Sequence, residues 1–214
     1  MAVDPSSSTY TGWPTGSVAA AKAQAAAAGV TNLDFMQADV YSLPSSIPSG
    51  SFDIAHCHQL LVHLDRPIDA LKSMSRVVRS GGIVAARDTH SQCTRPTTPA
   101  IQRNWELYHS LSRQRGAHPE AGLINSLWMQ EAGFEREHVS SGDVANLLME
   151  PEEKRLLAKA LLPSFAATYG KPIASEVDKT WLEQFKKDIL TWADMPNSSF
   201  IWYDGWVIGE KTWE

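Results

Sequence analysis

Residues 50–88 read GSFDIAHCHQLLVHLDRPIDALKSMSRVVRSGGIVAARD, and the period of the apolar positions changes three times within them. Ser51 to Cys57 (SFDIAHC) has the composition and length of a strand. From Pro67 to Arg79, Ile68, Leu71, Met74, Val77 and Val78 fall on one helical face. Arg79-Ser80-Gly81-Gly82 then breaks the helix. Ile83 to Arg87 (IVAAR) is a short continuous apolar run, the pattern of a strand buried on both faces of a parallel sheet.

The flanking sequence repeats this alternation. Upstream, Ser17 to Ala28 consists almost wholly of helix formers, Gly29 stops them, and Asn32 to Gln37 reads as a short strand. Downstream, helices are predicted over Ile101–Arg115 and Ala121–Glu131, with Gly133 ending the second, and a strand over Glu135–Ser140. Met149 to Glu153 starts another helix, because Pro151 suits the first turn and the carboxylates complement the helix dipole. Leu157, Leu161 and Phe165 continue at helical spacing, as do Trp181, Phe185, Ile189 and Trp192 in the next segment. Phe200 to Glu210 returns as strand, either one long strand bent at Asp204-Gly205 or a hairpin turning there. The β-α-β-α-β rhythm predicts a doubly wound α/β fold with a helical cap before the last strand. One domain is expected over residues 1–214: an α/β core over 1–148, a cap over 149–196, and a terminal core strand over 197–214.

Composition narrows the function classes. The 214 residues are 43% hydrophobic and 20% charged, enough for a full core. A net charge of −5 and a pI near 5.8, with Lys and Arg scattered, provide no footprint for nucleic acid. No apolar run reaches the roughly 18–20 residues that cross a bilayer, and the N-terminal residues have no charged segment followed by a hydrophobic one. A soluble, cytoplasmic protein without a membrane partner is expected. Cys57 and Cys93 are too few for a disulfide framework and read as reduced thiols.

Three stretches carry a family resemblance: GVTNLDFMQADVYSLP at 29–44, the 50–88 segment, and NWELYHSLSRQRGAHPEAGLINSLWMQEAGFE at 104–135. Together they resemble class I S-adenosylmethionine-dependent methyltransferases, in the branch of the ubiquinone and menaquinone methyltransferases. The resemblance implies strand order 3-2-1-4-5-7-6 with the last strand antiparallel. It implies that Asp4, after Val3, ends the family's second strand and binds the ribose hydroxyls, while Asp39 and Val40 serve the adenine. His58 and Gln59, at the end of the family's fourth strand, would face the methyl-transfer zone, with Gln59 on the cofactor. The family also opens with a first strand and a G-x-G-x-G loop that admits the methionyl end of the cofactor. Nothing here matches that loop: Gly12 and Gly16 flank Trp13-Pro14, a bulky residue and one without an N–H. The chain reads as a Rossmann-like sheet missing its first strand. Two edges left unpaired would cost about 1–3 kcal/mol per buried group, so direct pairing of the flanking strands, rearrangement of Tyr10–Thr15, departure of the N-terminus, or strand exchange in a homodimer is expected to close the gap.

Chemistry at the carboxyl edge centres on imidazoles. His56, His58 and His63 lie around the fourth-strand segment and His90 follows the fifth, so convergence is expected, with His58 and His90 as general-base candidates. The plainer reading is that they are satisfied polar residues at strand ends. His56, Cys57 and His58 have no second ligand pair at metal-binding spacing, so no metal is assigned. Trp105, Tyr108, His109 and Trp202 suggest a pocket for a flat or polycyclic metabolite, whereas Trp181 and Trp192 read as core. Arg87 and Asp88 could bind a polar substrate group or cap the sheet edge. Three functions follow: a small-molecule methyltransferase using S-adenosylmethionine, a cofactor-independent cyclase or isomerase derived from one, or a non-catalytic partner subunit.

Overall fold

A computed structural model describes residues 2–5, 17–168 and 179–213, with side chains for 18–162 and 180–213. Among these residues, six strands and six α-helices follow in the order β1 (Ala2–Pro5), α1 (Ser17–Ala27), β2 (Phe35–Ala38), β3 (Phe52–His58), α2 (Pro67–Val77), β4 (Val78–Arg95), α3 (Pro99–Gln114), α4 (Ala121–Glu131), β5 (Val139–Leu148), α5 (Pro151–Thr168), α6 (Lys179–Asp194) and β6 (Ser199–Glu210). Among the described residues the strands form two sheets, a parallel β1-β2 pair and a four-stranded sheet in the order β3-β4-β6-β5. β3 and β4 are parallel, whereas β6 runs antiparallel to both neighbours. β6 is one long strand, which settles the choice between strand and hairpin.

Three boundaries differ from the sequence reading. The Arg79–Gly82 break is already strand: Gly81 N–H donates to the Lys211 carbonyl at 2.7 Å and Lys211 N–H to that of Gly82 at 2.9 Å. Gly82 is required there because a Cβ would sit 2.7 Å from the Asp53 carbonyl oxygen. β4 therefore runs 18 residues rather than five, extended by twelve pairings with β6. Glu135–Ser140 begins instead as a single 3-10 turn over Arg136–His138, and β5 runs on to Leu148. Nor is β4 buried on both faces. Val84 and Ala86 are buried under α2 and α4, while Ile83 and Ala85 on the opposite face are half-exposed. On that open face Ile54 of the edge strand β3 is 59% exposed and Ile208 of β6 39%.

Two cores follow from this. The first joins Leu61, Leu71, Met74, Val84, Trp128, Met129 and Val207 between the four-stranded sheet and α2 and α4. The second joins Ile101, Leu111, Ala158, Trp181, Phe185, Ile189, Trp192 and Phe200 among α3, α5, α6 and the start of β6. The apolar stripe of α6 is wholly buried, and each such side chain contributes about 1.5–3 kcal/mol. Trp181 and Trp192 donate their indole N–H groups to the carbonyls of Ala100 and Arg95, as core residues should. α4 approaches the sheet through two glycines, Gly122 on the helix and Gly205 on β6, whose backbones touch, and Asn125 Nδ2 donates to the Gly205 carbonyl at 2.8 Å. β6 runs through both cores, with Phe200 in the second and Val207 in the first.

Candidate active site

The parallel register of β1 and β2 sets Asp4 opposite Gln37 and Pro5 opposite Ala38. Asp4 and Asp39 thus stand at the carboxyl ends of neighbouring strands. The side chain of Asp4 lies outside the described ones. Asp39 Oδ1 accepts the Tyr41 N–H at 3.0 Å, closing a tight turn after β2. Val40 points into the first core, 7% exposed. The turn is tied to α2 because Tyr41 Oη donates to Asp65 at 2.7 Å and lies under the Arg66 guanidinium, 4.2 Å from the ring centre. Burial, aided by the bond to Asp65, pushes the Tyr41 phenol up to about 12.

Gln59, immediately after β3, takes a left-handed backbone with φ of 53°, a conformation that costs a non-glycine residue about 1–3 kcal/mol. Its side chain is held inside the sheet. Nε2 donates to Thr89 Oγ1 at 2.6 Å and to Asp204 Oδ1 at 3.1 Å, and Oε1 accepts the Thr89 N–H at 3.3 Å. Asp204, fully buried, also accepts from Thr89 Oγ1 at 2.8 Å, Arg87 Nε at 2.9 Å and Asn146 Nδ2 at 3.1 Å. Arg87 returns a bond to Asn146 Oδ1 at 2.8 Å. Burial alone would raise the Asp204 carboxyl, but these donors together hold it below its ordinary value. Arg87 therefore serves this network at the sheet edge.

Asp88 faces the other side of β4. Its Oδ1 accepts the Val62 N–H at 3.0 Å, fastening the loop after β3, while the buried Oδ2 has no hydrogen-bond partner among the described residues. Burial raises this carboxyl to about 6 against the opposing pull of the Leu60–Val62 amides. The unfolded value is about 3.9, so the folded state holds the proton more tightly. The stability this supplies is present below about pH 4 and lost as pH rises to 6, a swing of about 3 kcal/mol. Asp88→Asn removes the titration but keeps an acceptor for Val62. The wild-type advantage over D88N, measured by urea unfolding, is expected to shrink by about 2 kcal/mol between pH 4 and pH 7.

The histidines do not converge. His56 and His58 project from the open face of β3, exposed, with ring centres 6.5 Å apart. His90 sits on a β-bulge where the register shifts between Thr89 and Ser91. Its Nδ1 is 3.2 Å from Ser91 Oγ and its Nε2 3.4 Å from Asp143. Strand alternation puts His90 on the α4 side of the sheet, away from His58. His63, in the 3-10 turn after β3, is held below the usual imidazole range by burial.

The aromatic residues do come together. Trp105 stacks on Phe200 at 5.7 Å, Phe200 on Trp202 at 5.5 Å, and Tyr108 meets Trp105 edge-on at 6.4 Å. Beside them His109 Nε2 is 3.3 Å from Gln92 Nε2, and its Nδ1 is 3.4 Å from Glu120. Glu120 is also paired with Arg113. Burial holds His109 below the ordinary imidazole value despite the pull of Glu120. Asp204, Thr89, Asn146, Gln92 and Glu120 are not among the site residues expected from the sequence. For Asp204 the signal was present, a lone carboxylate inside the apolar strand FIWYDGWVI, which must be paired if buried.

The mixed α/β fold is similar to that of solved structures that include a putative methyltransferase of Bacillus halodurans, which superposes with a TM-score of 0.54 at 15% identity and covers 92% of this chain and 80% of that one. Residues 6–86 match the profile of the family described as Methyltransferase domain. The chain is 24% identical over 192 residues to the uncharacterized methyltransferase C1B3.06c of Schizosaccharomyces pombe, a match covering 85% of this chain and 66% of that one. It is 33% identical over 106 residues to a protein of Aspergillus luteorubrus named probable methyltransferase ltbC, covering 44% of this chain and 37% of that one. The chain therefore spans just under two thirds of the first relative and little more than a third of the second. Among solved structures, the YcgJ protein of Bacillus subtilis superposes with a TM-score of 0.55 at 16% identity, covering 99% of this chain and 82% of that one.

Proposed function

We propose that this chain acts on a small aromatic or polycyclic metabolite held against Trp105, Tyr108, His109 and Trp202, with the adenosine of S-adenosylmethionine at the ends of β1 and β2. The observation that carries the cofactor reading is the adjacency of Asp4 and Asp39 on parallel strands. A carboxylate at each of two neighbouring strand ends suits the ribose hydroxyls and the adenine amino group. Val40 would support the ring only through its backbone, since its side chain is buried in the core.

The methionyl half of the cofactor fits less well. Gln59 is committed to Thr89 and Asp204, and Gly12 and Gly16 lie outside the described residues. No methyl-transfer step is derived on that basis. The same fact favours a second reading, a cofactor-independent cyclase or isomerase using the aromatic site. We read the separation of the β1-β2 pair from β3 as the place of a missing first strand, with a core over 1–148, a cap over 149–196 and a terminal strand over 197–214. The open edge of β3 and the exposure of Ile54 support pairing with a second copy; a partner subunit without its own chemistry is the remaining alternative.

Calorimetry with S-adenosylmethionine, on a sample whose mass is read by light scattering, tests both parts. Binding tighter than about 1 mM, or roughly −4 kcal/mol, is expected on a two-chain species. Absence of heat at millimolar cofactor overturns the methyltransferase reading for this chain and leaves the cyclase reading. A one-chain mass overturns the dimer.

A further inference from the structure

We propose that His109, held by Glu120 and Gln92, is the proton acceptor for a hydroxyl group of a phenolic or enolic substrate. The inference rests on the reading of the aromatic cluster as the substrate site, and it holds under either the transferase or the cyclase reading.

The two neighbours select the same tautomer. Glu120, 3.4 Å from Nδ1, is a carboxylate and accepts only, so Nδ1 carries the proton. Gln92 presents its amide nitrogen 3.3 Å from Nε2, a donor that requires the Nε2 lone pair to face it. The imidazole is thus neutral, oriented, and open to a proton at Nε2. A carboxylate on the far nitrogen orients the ring and stabilises the imidazolium that forms. Glu120 is itself fixed by Arg113 and sits immediately before α4, where the helix dipole favours its charge.

The position suits a planar substrate. Gln92 pairs across the sheet with Trp202, and Trp105 lies one helical turn before His109 on the same face of α3. The Trp105 indole N–H is buried and has no hydrogen-bond partner among the described residues, so a ligand oxygen would satisfy it. An aromatic ring bearing a hydroxyl and a second oxygen therefore matches the pair, one donor and one acceptor. The other two candidates match less well. His58 is exposed on the open sheet face beside His56. His90 lies beside Tyr203, ring centres 6.0 Å apart, rather than in the Trp105–Phe200–Trp202 group, and its buried Nε2 has no hydrogen-bond partner among the described residues to orient the ring.

The step is a proton transfer. The substrate O–H bond breaks, its electrons stay on oxygen, the proton passes to Nε2 in place of the Gln92 amide bond, and Glu120 compensates the new positive charge through Nδ1–H.

The probe is 4-nitrophenol, whose phenolate is read by absorbance and whose binding is read by tryptophan fluorescence. At the pH where the free phenol is half ionised, the bound phenol is expected to show a phenolate-to-phenol ratio about tenfold higher, one pKa unit. In His109→Gln the fluorescence change should persist while the ratio returns to that of the free phenol; in Glu120→Gln the ratio should fall to an intermediate value. A bound phenol that ionises as in solution, or one that ionises equally in H109Q, overturns the proton-acceptor role and leaves the aromatic site standing. No fluorescence change at millimolar probe overturns both.

Discussion

Replacing Gly122 by alanine is expected to lower stability by about 3 kcal/mol or more, and to lower the melting temperature by roughly 6–12 °C for a chain of this size. Helix propensity alone predicts the opposite sign, since alanine is better than glycine in a helix by about 1 kcal/mol. Packing decides the outcome. A Cβ on Gly122 would overlap the Asp88 carbonyl oxygen and lie 2.7 Å from the Gly205 nitrogen. Both are backbone atoms of central strands, so neither can turn aside. α4 would have to lift from the sheet, taking Met129 and Trp128 out of the first core and breaking the Asn125 bond to Gly205. Gly205→Ala should behave in the same way, because its Cβ would run into the Gly122 backbone. Gly29→Ala is the control: nothing lies within 4 Å, but φ is 69°, so a loss near 1 kcal/mol is expected from conformation alone. Thermal or urea unfolding measures all three. Equal losses in G122A and G29A would show that the helix and sheet are not locked at this contact.

The legible parts of the molecule are those decided by local pattern. Ala121–Glu131 is the same helix in sequence and structure, because its ends are set by nearby residues. The stripe of Trp181, Phe185, Ile189 and Trp192 announces a buried face at a period of 3.6, and that face is buried. What local pattern misses is decided by distant partners. Gly81 and Gly82 end a helix in any sequence reading, yet the chain continues as strand because Lys211 supplies the pairing. A continuous apolar run, IVAAR, implies burial on both faces, but which faces receive helices depends on the whole topology. For the site, the aromatic group was legible because Trp105 and Trp202 are conspicuous residues. His109 was singled out among them, but its orientation depends on Glu120 and Gln92, which come from other elements. The split between His58 and His90 follows from alternation along strands whose register was unknown.

Asp204→Asn should be as damaging as the glycine changes, by about 3 kcal/mol at pH 7, because it leaves donors gathered on a buried carboxylate unpaired and strips the part-exposed Arg87 of its counter-charge. The carboxylate gathers Arg87, Thr89, Gln59 and Asn146, and an amide cannot accept from all of them; its NH2 would face donors. The loss has a definite pH dependence. The folded carboxyl lies below its ordinary value, so its contribution is complete above the unfolded value of about 3.9 and is lost as pH falls through the lower folded value. The gap between wild type and D204N should therefore be full at pH 7 and begin to close below pH 4, the reverse of the trend expected for D88N. Urea midpoints at both pH values measure it. Removing the partner as well separates pairing from burial: Arg87→Met combined with Asp204→Asn should recover part of the loss, since no unpaired guanidinium remains. If the double variant is less stable than D204N by the full effect of R87M alone, the two side chains act independently. The strained backbone at Gln59 would then be held by Thr89 rather than by the Asp204 network.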